Sequence, residues 1–154
     1  MTSLDLNMGY YHIRLTPKAT AICTVILPWG KYEYLRLPMG LCNSPDIFQE
    51  KMSDLMEGLE FTRAYIDDLL ILSTGSFSQH LTHLDAVLSR LLECGLKINA
   101  SKSFFARTQL EYLGYWITRD GVKPLNKKVE AINNLAPPTN RTEVRKFIGL
   151  VNYY

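Results

Sequence analysis

The chain has 154 residues, of which 47% are hydrophobic and 21% are charged, with a net charge of +2 at pH 7. This size and composition suit about one domain with a buried core, and they exclude disordered, collagen-like and low-complexity proteins. No apolar run approaches the roughly 20 residues of a membrane span and no secretory signal is present, while three scattered cysteines favour buried free thiols in a reducing compartment over disulfides or a zinc site.

The first half of the chain has the hydrophobic pattern of short strands followed by a helix. Strands are expected at residues 3–6, 11–15, 21–27 and 32–37, the last two forming a hairpin around a turn at 28–31. The first strand is expected to pair with segments upstream of the chain. Ser44 and Pro45 predict the start of a helix that ends at Gly58, because serine can cap a helix and proline suits its first position.

The second half mixes strands and helices in the same irregular way. Strands are expected at 61–66, 69–72 and 110–117, with turns at Asp67-Asp68 and Asp120-Gly121. Helices are expected from Ser76 or Ser78 to Gly95, at 126–135, and from a cap at Thr139 or Asn140 to the last residue. Because strands and helices do not alternate regularly, the expected class is α+β, with an antiparallel sheet and helices on one face.

The sharpest chemical feature is the pair of carboxylates at the tip of a hairpin, Asp67 and Asp68. Aspartate is a common turn residue, but the apolar flanks predict a buried hairpin, where adjacent carboxylates repel each other and lose hydration. A hard divalent cation such as Mg²⁺ would offset both costs. Asp5, between Leu4 and Leu6, is either a solvent-facing residue of the first strand or a third carboxylate of the same site.

Six blocks of the sequence carry a family resemblance. They are residues 3–15 (SLDLNMGYYHIRL), 37–49 (LPMGLCNSPDIFQ), 65–68 (YIDD), 95–99 (GLKIN) with Lys102, 110–114 (LEYLG) and 147–154 (FIGLVNYY). In this order, and across nearly the whole chain, they resemble the reverse transcriptase of gypsy-class LTR retrotransposons, from the catalytic palm into the start of the thumb.

The resemblance implies a fragment of a right-hand polymerase, whose palm has an antiparallel sheet backed by helices. The implied division is 1–12 for the first palm strand, 13–43 for part of the fingers, 44–118 for the rest of the palm, and 119–154 for the connection and the start of the thumb. The implied activity is RNA-directed DNA synthesis, in which two Mg²⁺ ions, or Mn²⁺ as a substitute, assist attack of a primer 3′-hydroxyl on a deoxynucleoside triphosphate.

The resemblance also implies the partners of this activity. They are an RNA or DNA template with its primer, and the upstream fingers and downstream RNase H and integrase of one polyprotein. The implied location is inside the cell, in a cytoplasmic particle or in the nucleus, with no membrane partner.

Roles for individual residues follow from the matched blocks. Asp5, Asp67 and Asp68 would be the catalytic, metal-binding carboxylates, with the Leu6 carbonyl as a backbone ligand. The primer would contact Tyr65, Ile66, Tyr112, Leu113 and Gly114.

The incoming nucleotide would contact Tyr10, Met39, Gly40 and Lys102. The rigid ring of Tyr10 would exclude a 2′-hydroxyl and so select deoxynucleotides. Met39 stands where retroviral relatives carry glutamine, so it would pack against the nucleotide rather than hydrogen-bond to it. Gly40 would allow close approach of the backbone, and Lys102 would act near the triphosphate as a charge donor or general acid.

The remaining charged residues give weaker signals. Residues 1–77 hold six Lys and Arg against nine Asp and Glu (net −3), and residues 78–154 hold eleven against six (net +5). Basic side chains near the thumb could attract duplex phosphates or form a solvated helix face; they are Lys123, Lys127, Lys128, Arg141, Arg145 and Lys146. His80 and His83, which lack a third ligand, are expected to be surface histidines.

Two other functions fit parts of the sequence. A catalytically inactive remnant or nucleic-acid-binding fragment of such an element would fit the expected truncation of the fingers and thumb, although the three aspartates argue against decay of the site. Another palm-type polymerase, such as an RNA-dependent RNA polymerase, is disfavoured by Tyr10 and by the Leu-Gly-Tyr run at 113–115.

Overall fold

The computed structural model describes residues 1–152, without the side chain of Ala131. The chain forms two compact units, one spanning Met1–Arg107 and one beginning at Thr108. Every strand pair with a described register is antiparallel, which confirms the α+β prediction. None of the helices within residues 1–152 is long and apolar enough to cross a membrane.

The first unit contains two antiparallel sheets, four helical segments and the chain's main core. Its strands are β1 (Thr2–Asn7), β2 (Thr24–Leu27), β3 (Gly30–Glu33), β4 (Thr62–Tyr65), β5 (Asp68–Ile71) and β6 (Lys97–Ile98). Its helices are a 3₁₀ helix (Gly9–His12), α1 (Pro17–Ile22), α2 (Ser44–Leu55) and α3 (Phe77–Glu93). The larger sheet has the order β4-β5-β1-β6, and β2 and β3 form a separate hairpin.

Strand β1 lies in the middle of the larger sheet, which gives it a partner on each side. Both partners, β5 and β6, lie downstream in the chain, so the prediction of upstream partners was wrong. The core beneath the sheet combines apolar side chains of the strands, α2 and α3; they include Leu4, Leu69, Ile71, Phe48, Met52, Val87 and Leu91, each at most 2% exposed. Full burial of one such side chain contributes about 1.5–3 kcal/mol.

The segment after β1 differs from its predicted strands. Residues 11–15 form the end of the 3₁₀ helix and a single bridge between Arg14 and Arg36 instead of a strand. Helix α1 was missed, although its signal is visible: Thr16 accepts a hydrogen bond from the Ala19 amide as N-cap, and proline occupies the first helical position. The β2–β3 hairpin is confirmed, but its strands are shorter than predicted and β3 begins at Gly30, inside the predicted turn.

Helices α2 and α3 pack against the same sheet and are tied to each other. Ser44 is the first helical residue of α2 and not its cap, and its hydroxyl donates to the Pro38 carbonyl oxygen (2.8 Å). The predicted cap of α3 is confirmed, since Ser76 accepts from the Gln79 amide. The Arg90 guanidinium of α3 donates to the Leu55 carbonyl oxygen at the end of α2 (2.8 Å).

His80 contradicts the prediction of surface histidines. It is 4% exposed, and its Nε2 and Nδ1 lie 2.7 Å and 2.9 Å from the hydroxyls of Thr2 and Ser73. The Ser73 hydroxyl also lies 2.8 Å from His83 Nδ1, and the His83 ring stacks on Phe61 at 3.8 Å. The His80 imidazole therefore joins the start of β1 to the segment after β5 through two hydroxyl groups, and the spacing of the histidines on the helix does not reveal this.

The three cysteines are free, but the prediction that they are buried was wrong for two of them. Cys42 and Cys94 are exposed, and Cys23 is half-buried. Cys42 lies in the loop before α2, and Cys94 is the C-cap of α3, so both lie in turns outside the regular helices and strands.

We expect the stability of the chain to fall in mild acid because of His80. Burial lowers the pKa of His80, and the positive charges of the N-terminal amine and His83 lower it further. The folded chain then binds fewer protons than the unfolded chain below about pH 6.5, so stability is full above that pH and decreases as pH falls toward the folded pKa, by at most about 1.4 kcal/mol per pH unit for one proton.

Urea unfolding from pH 5 to pH 7.5 measures this effect. The difference between the parent and His80→Gln should vary with pH over this range, whereas His12→Gln, which changes a histidine outside the buried network, should keep the parent's profile. A profile of His80→Gln parallel to that of the parent would show that another group causes the acid sensitivity.

Within residues 108–152, the second unit contains a three-stranded antiparallel sheet and two helices. They are β7 (Leu110–Tyr112), β8 (Tyr115–Thr118), β9 (Gly121–Pro124), α4 (Asn126–Asn133) and α5 (Arg141–Val151). The predicted strand 110–117 is in fact a hairpin, because Leu113 and Gly114 adopt φ of +49° and +81° and reverse the chain. The Asn140 cap of α5 is confirmed; the last residues of the matched thumb block, Tyr153 and Tyr154, lie outside the described residues.

Candidate active site

The pairing of β1 with β5 brings the three predicted carboxylates into one region. Asp5 of β1 lies directly opposite Asp68 of β5 in the register. Tyr65 pairs with Asp68, so the hairpin turn consists of Ile66 and Asp67. The prediction of a turn at Asp67-Asp68 was therefore wrong by one residue, because Asp68 is already the first residue of its strand.

Hydrogen bonds hold the backbone at Asp5 and at Asp67. The Leu6 amide donates to the Asp67 carbonyl oxygen (2.9 Å), which ties the turn to β1. The Asn99 amide donates to the Asp5 carbonyl oxygen (2.8 Å). The Ser103 hydroxyl accepts from the Asp5 amide (3.1 Å) and donates to the Asn99 carbonyl oxygen (2.8 Å). These bonds leave the carboxylates on a backbone with little freedom to move.

The electrostatics of this region favour a cation. Burial raises the pKa of Asp67, and the charges of Asp5 and Asp68 raise it further. Burial and Asp5 also raise the pKa of Asp68, while the positive charge of Lys102 opposes this. One carboxylate oxygen of Asp67, Oδ1, is buried and has no hydrogen-bond partner. Such an oxygen is costly unless another group compensates it.

The donor set fits a hard divalent ion in charge and type but does not enclose one. Carboxylate oxygens are the side-chain ligands that Mg²⁺ prefers, and the unpartnered Oδ1 of Asp67 is available to it. Within residues 1–152, however, no group of three or more His, Cys, Asp or Glu side chains is arranged to hold a metal ion. This is compatible with Mg²⁺, which usually binds through one or two carboxylates together with water and substrate phosphates.

Tyr10, Phe48 and Gly9 pack together beside Asp67. Tyr10 is 8% exposed and stacks on Phe48 of α2, with ring centroids 4.9 Å apart. Burial raises the pKa of the Tyr10 phenol, and the charge of Asp67 raises it further. A Cβ on Gly9 would collide with the Phe48 ring and approach Asp67 Oδ1 to 3.1 Å. Gly9 was not among the predicted site residues, and its position beside Tyr10 in the first matched block was the available signal.

The other residues predicted to contact the nucleotide are not buried beside Asp67 as Tyr10 is. Lys102 is exposed, and its effect on the pKa of Asp68 places its charge near the carboxylates. Met39 is 54% exposed, and Gly40 adopts φ of +90° in the loop that precedes α2. Tyr10 and Lys102 thus lie near the carboxylates, whereas Met39 and Gly40 lie on an exposed loop of the same unit.

The predicted primer contacts fall in two places. Tyr65, which is 52% exposed, and Ile66 belong to the β4–β5 hairpin. Tyr112, Leu113 and Gly114 belong to the β7–β8 hairpin of the second unit.

Within the second unit, Lys128 lies against the β7–β8 turn. Its Nζ is 5.5 Å from the centroid of the Tyr115 ring and would be 2.7 Å from a Cβ on Gly114. Lys128 was considered only as one of several basic residues, because its position beside the turn is not visible in the sequence.

Comparison with known proteins gives a consistent result. Residues 1–117 match the family model described as reverse transcriptase (RNA-dependent DNA polymerase). The chain is 41% identical to the retrovirus-related Pol polyprotein from transposon opus and 36% identical to that from transposon gypsy, both of Drosophila melanogaster. Each alignment covers 99% of the chain but only 15% of the relative.

Solved structures similar to this chain include complexes with nucleic acid. The foamy viral protease-reverse transcriptase in complex with double-stranded DNA is 29% identical, with a TM-score of 0.85 over 99% of this chain and 27% of that one. The same protein in complex with an RNA/DNA hybrid gives a TM-score of 0.80 over 99% of this chain and 21% of that one. The similarity therefore extends over almost all of this chain and a minor part of each neighbour.

Proposed function

Because the chain belongs to the reverse transcriptase (RNA-dependent DNA polymerase) family, we propose that it forms the catalytic part of an RNA-directed DNA polymerase encoded by an LTR retrotransposon. The polymerase adds deoxynucleotides to a primer 3′-hydroxyl. The observation that carries this proposal is the position of Asp5 opposite Asp68, beside an Asp67 whose buried Oδ1 has no partner. Three carboxylates so placed are costly in an apoprotein and useful to an enzyme that binds cations.

In this proposal, Asp5, Asp67, Asp68 and the Leu6 carbonyl hold two Mg²⁺ ions, for which Mn²⁺ can substitute. When bound, the ions lower the pKa of the attacking hydroxyl and stabilise the charge of the leaving pyrophosphate. The protein itself contributes position: β1 and the β4–β5 hairpin hold the carboxylates through backbone bonds, so little reorganisation accompanies the reaction.

Further residues select and hold the substrates. Tyr10 excludes a 2′-hydroxyl, and Met39 and Gly40 contact the nucleotide through apolar packing and close backbone approach. Lys102 contributes positive charge beside the triphosphate. The primer terminus contacts the β4–β5 hairpin through Tyr65 and Ile66, and the β7–β8 hairpin through Tyr112, Leu113 and Gly114.

The proposed partners are a primed RNA or DNA template and the other parts of the same polyprotein. The curated relatives are Pol polyproteins of which this chain spans a small part. The fingers upstream and the RNase H and integrase downstream are accordingly expected as neighbouring domains, within a cytoplasmic particle or in the nucleus.

Primer extension on an RNA template tests the function. The chain, restored to its full polymerase length, should extend a DNA primer with deoxynucleoside triphosphates, and EDTA should stop synthesis until Mg²⁺ is added. Failure of the full-length protein to extend the primer, together with absence of carboxylate-dependent Mg²⁺ binding by this chain, would instead support an inactive remnant.

We expect Tyr10→Ala to relax the choice of sugar. The buried, stacked ring of Tyr10 cannot easily move aside, so its removal opens space for a 2′-hydroxyl and should raise the ribonucleotide-to-deoxynucleotide ratio of kcat/KM by about tenfold or more. This ratio is measured in one preparation and does not depend on the folded fraction. Tyr10→Phe keeps the ring and should keep the parent's ratio, as should Tyr11→Ala at the exposed neighbouring tyrosine; an unchanged ratio in Tyr10→Ala would remove Tyr10 from the nucleotide site.

A further inference from the structure

The turn that carries Asp67 has a conformation that its own sequence disfavours. Ile66, the first turn residue, adopts φ of +51°. This region is unfavourable for a β-branched residue, and glycine is usual at the first position of such a two-residue hairpin. A residue held in such a sparsely populated region costs about 1–3 kcal/mol and persists only when the surrounding structure imposes it. Some contact must therefore hold Ile66 in place.

The side chain of Gln49 on α2 makes that contact. Its Oε1 accepts a hydrogen bond from the Ile66 amide (2.7 Å), and its Nε2 donates to the Ala64 carbonyl oxygen (3.2 Å). Nε2 also donates to the Ser53 hydroxyl one helical turn later (3.2 Å), which fixes the orientation of the amide group. The short bond to Ile66 is thus made by a half-buried side chain that is itself held on the helix.

The amide of Gln49 takes the place of a neighbouring strand. Strand β4 is at the edge of the sheet, so the groups of Ala64 and Ile66 on its outer side have no strand to bond with. A peptide group of an adjacent strand would accept from one of these residues and donate to the other, and the primary amide of Gln49 does both. One side chain therefore satisfies the edge of β4 on both sides of Tyr65.

We propose that Gln49 is a positioning residue, which holds Ile66 in its left-handed conformation and so aims the adjacent Asp67 carboxylate. The effect on catalysis rests on the proposed polymerase function. The bond from the Leu6 amide fixes the Asp67 carbonyl from the side of β1, and Gln49 fixes the other end of the two-residue turn. The backbone at Asp67 is thus anchored on both sides, and its side chain carries the buried, unpartnered Oδ1.

Gln49→Met tests the proposal, since methionine has a similar length and no amide. In the full-length polymerase, kcat per active site should fall by about tenfold or more, because small misplacement of a catalytic group is expensive. The KM for the deoxynucleotide should change by less than about twofold, because the hydrogen bonds of Gln49 go to Ser53, Ala64 and Ile66 and not to the proposed nucleotide contacts. Gln79→Met, the same change at an exposed position of α3, should match the parent. Equal kcat in Gln49→Met and the parent would overturn the proposal.

A double substitution separates positioning of the turn from simple attachment of a helix to a strand. Glycine adopts positive φ without penalty, so in an Ile66→Gly background the further loss of kcat on Gln49→Met should be clearly smaller than in the parent. An equal loss in both backgrounds would show that Gln49 only joins α2 to β4. If Gln49→Met does not fold, Gln49→Asn, which withdraws the amide by one methylene, replaces it with the same expectations.

Amide hydrogen exchange of this chain gives a reading that does not depend on polymerisation. The Ile66 amide should exchange at least about tenfold faster in Gln49→Met than in the parent, while the amides of α3 should not change. If the full-length protein does not extend primers but this chain shows the difference in exchange, the polymerase function is refuted and the positioning role of Gln49 stands. Unchanged exchange at Ile66 would refute the positioning role regardless of activity.

Discussion

Asp67→Asn is expected to abolish primer extension by the full-length polymerase while making the chain more stable. Asparagine has the shape of aspartate but cannot supply an anionic oxygen to a cation, so kcat should fall by roughly 10²–10³-fold or more, the usual loss when one group that stabilises transition-state charge is removed. Primer extension measures the first effect, and thermal unfolding of this chain without divalent ions measures the second.

The gain in stability follows from the direction of the pKa shift. The pKa of Asp67 is raised in the folded chain by burial and by Asp5 and Asp68. The stability that Asp67 contributes is therefore full below its unfolded pKa near 3.9 and is lost as pH rises through the folded pKa. At pH 7 the ionised carboxylate is unfavourable, so the neutral amide should raise the melting temperature. The difference should shrink toward pH 4.

Two further measurements make this prediction specific. Mg²⁺ should raise the melting temperature of the parent and have little effect on Asp67→Asn, because ligand binding to the folded state stabilises it. Asp85→Asn, at an exposed position of α3, should leave both activity and Mg²⁺ response at the parent's level. Full activity of Asp67→Asn would remove Asp67 from the catalytic site, and a lower melting temperature at pH 7 would show that its charge is compensated without a cation.

The elements that could be predicted from the sequence are those with local signals. The Ser76 cap predicted the start of α3, and the Asn140 cap predicted the start of α5. The apolar periodicity predicted that α3 is a helix but only part of its buried face, since Leu91 is buried while Leu81 and Leu92 are exposed. The pair Asp67-Asp68 between apolar strands indicated the site, because two adjacent carboxylates in a buried hairpin are unfavourable unless a cation compensates them. These signals concern residues within a few positions of one another.

What could not be predicted depends on pairing between distant segments. The opposition of Asp5 and Asp68 is a matter of register between strands separated by more than 60 residues, and a slip of one residue would turn each side chain to the other face. The burial of His80 depends in the same way on hydroxyls contributed by Thr2 and Ser73. The strand predicted at 110–117 failed for a different reason. Apolar and aromatic residues continue on both sides of Gly114, and the reversal is visible in the backbone conformation of Leu113 and Gly114.

Gly9→Ala is expected to impair the site through packing alone, with no change of charge. The added Cβ would overlap the Phe48 ring and press on Asp67 Oδ1. Phe48 is 2% exposed and stacked on Tyr10, so it has little room to move, and overpacking of this kind costs about 1–3 kcal/mol. Because the Phe48 ring contacts Tyr10 and the new methyl group contacts Asp67, both the Tyr10 ring and the Asp67 carboxylate should shift. The kcat should therefore fall by about tenfold or more.

Gly149→Ala is the matched control, because the same methyl group would have open space around it in the last turn of α5. Alanine in a helix interior is more favourable than glycine by about 0.5–1 kcal/mol, so this variant should be slightly more stable than the parent and equally active. If Gly9→Ala lowers the unfolding free energy while Gly149→Ala raises it, the space beside Asp67 must be kept free of a side chain at position 9. If Gly9→Ala proved as stable and active as the parent, the close packing of Gly9, Phe48 and Asp67 would have no part in catalysis, and the direction of the Asp67 carboxylate would depend on its backbone anchors alone.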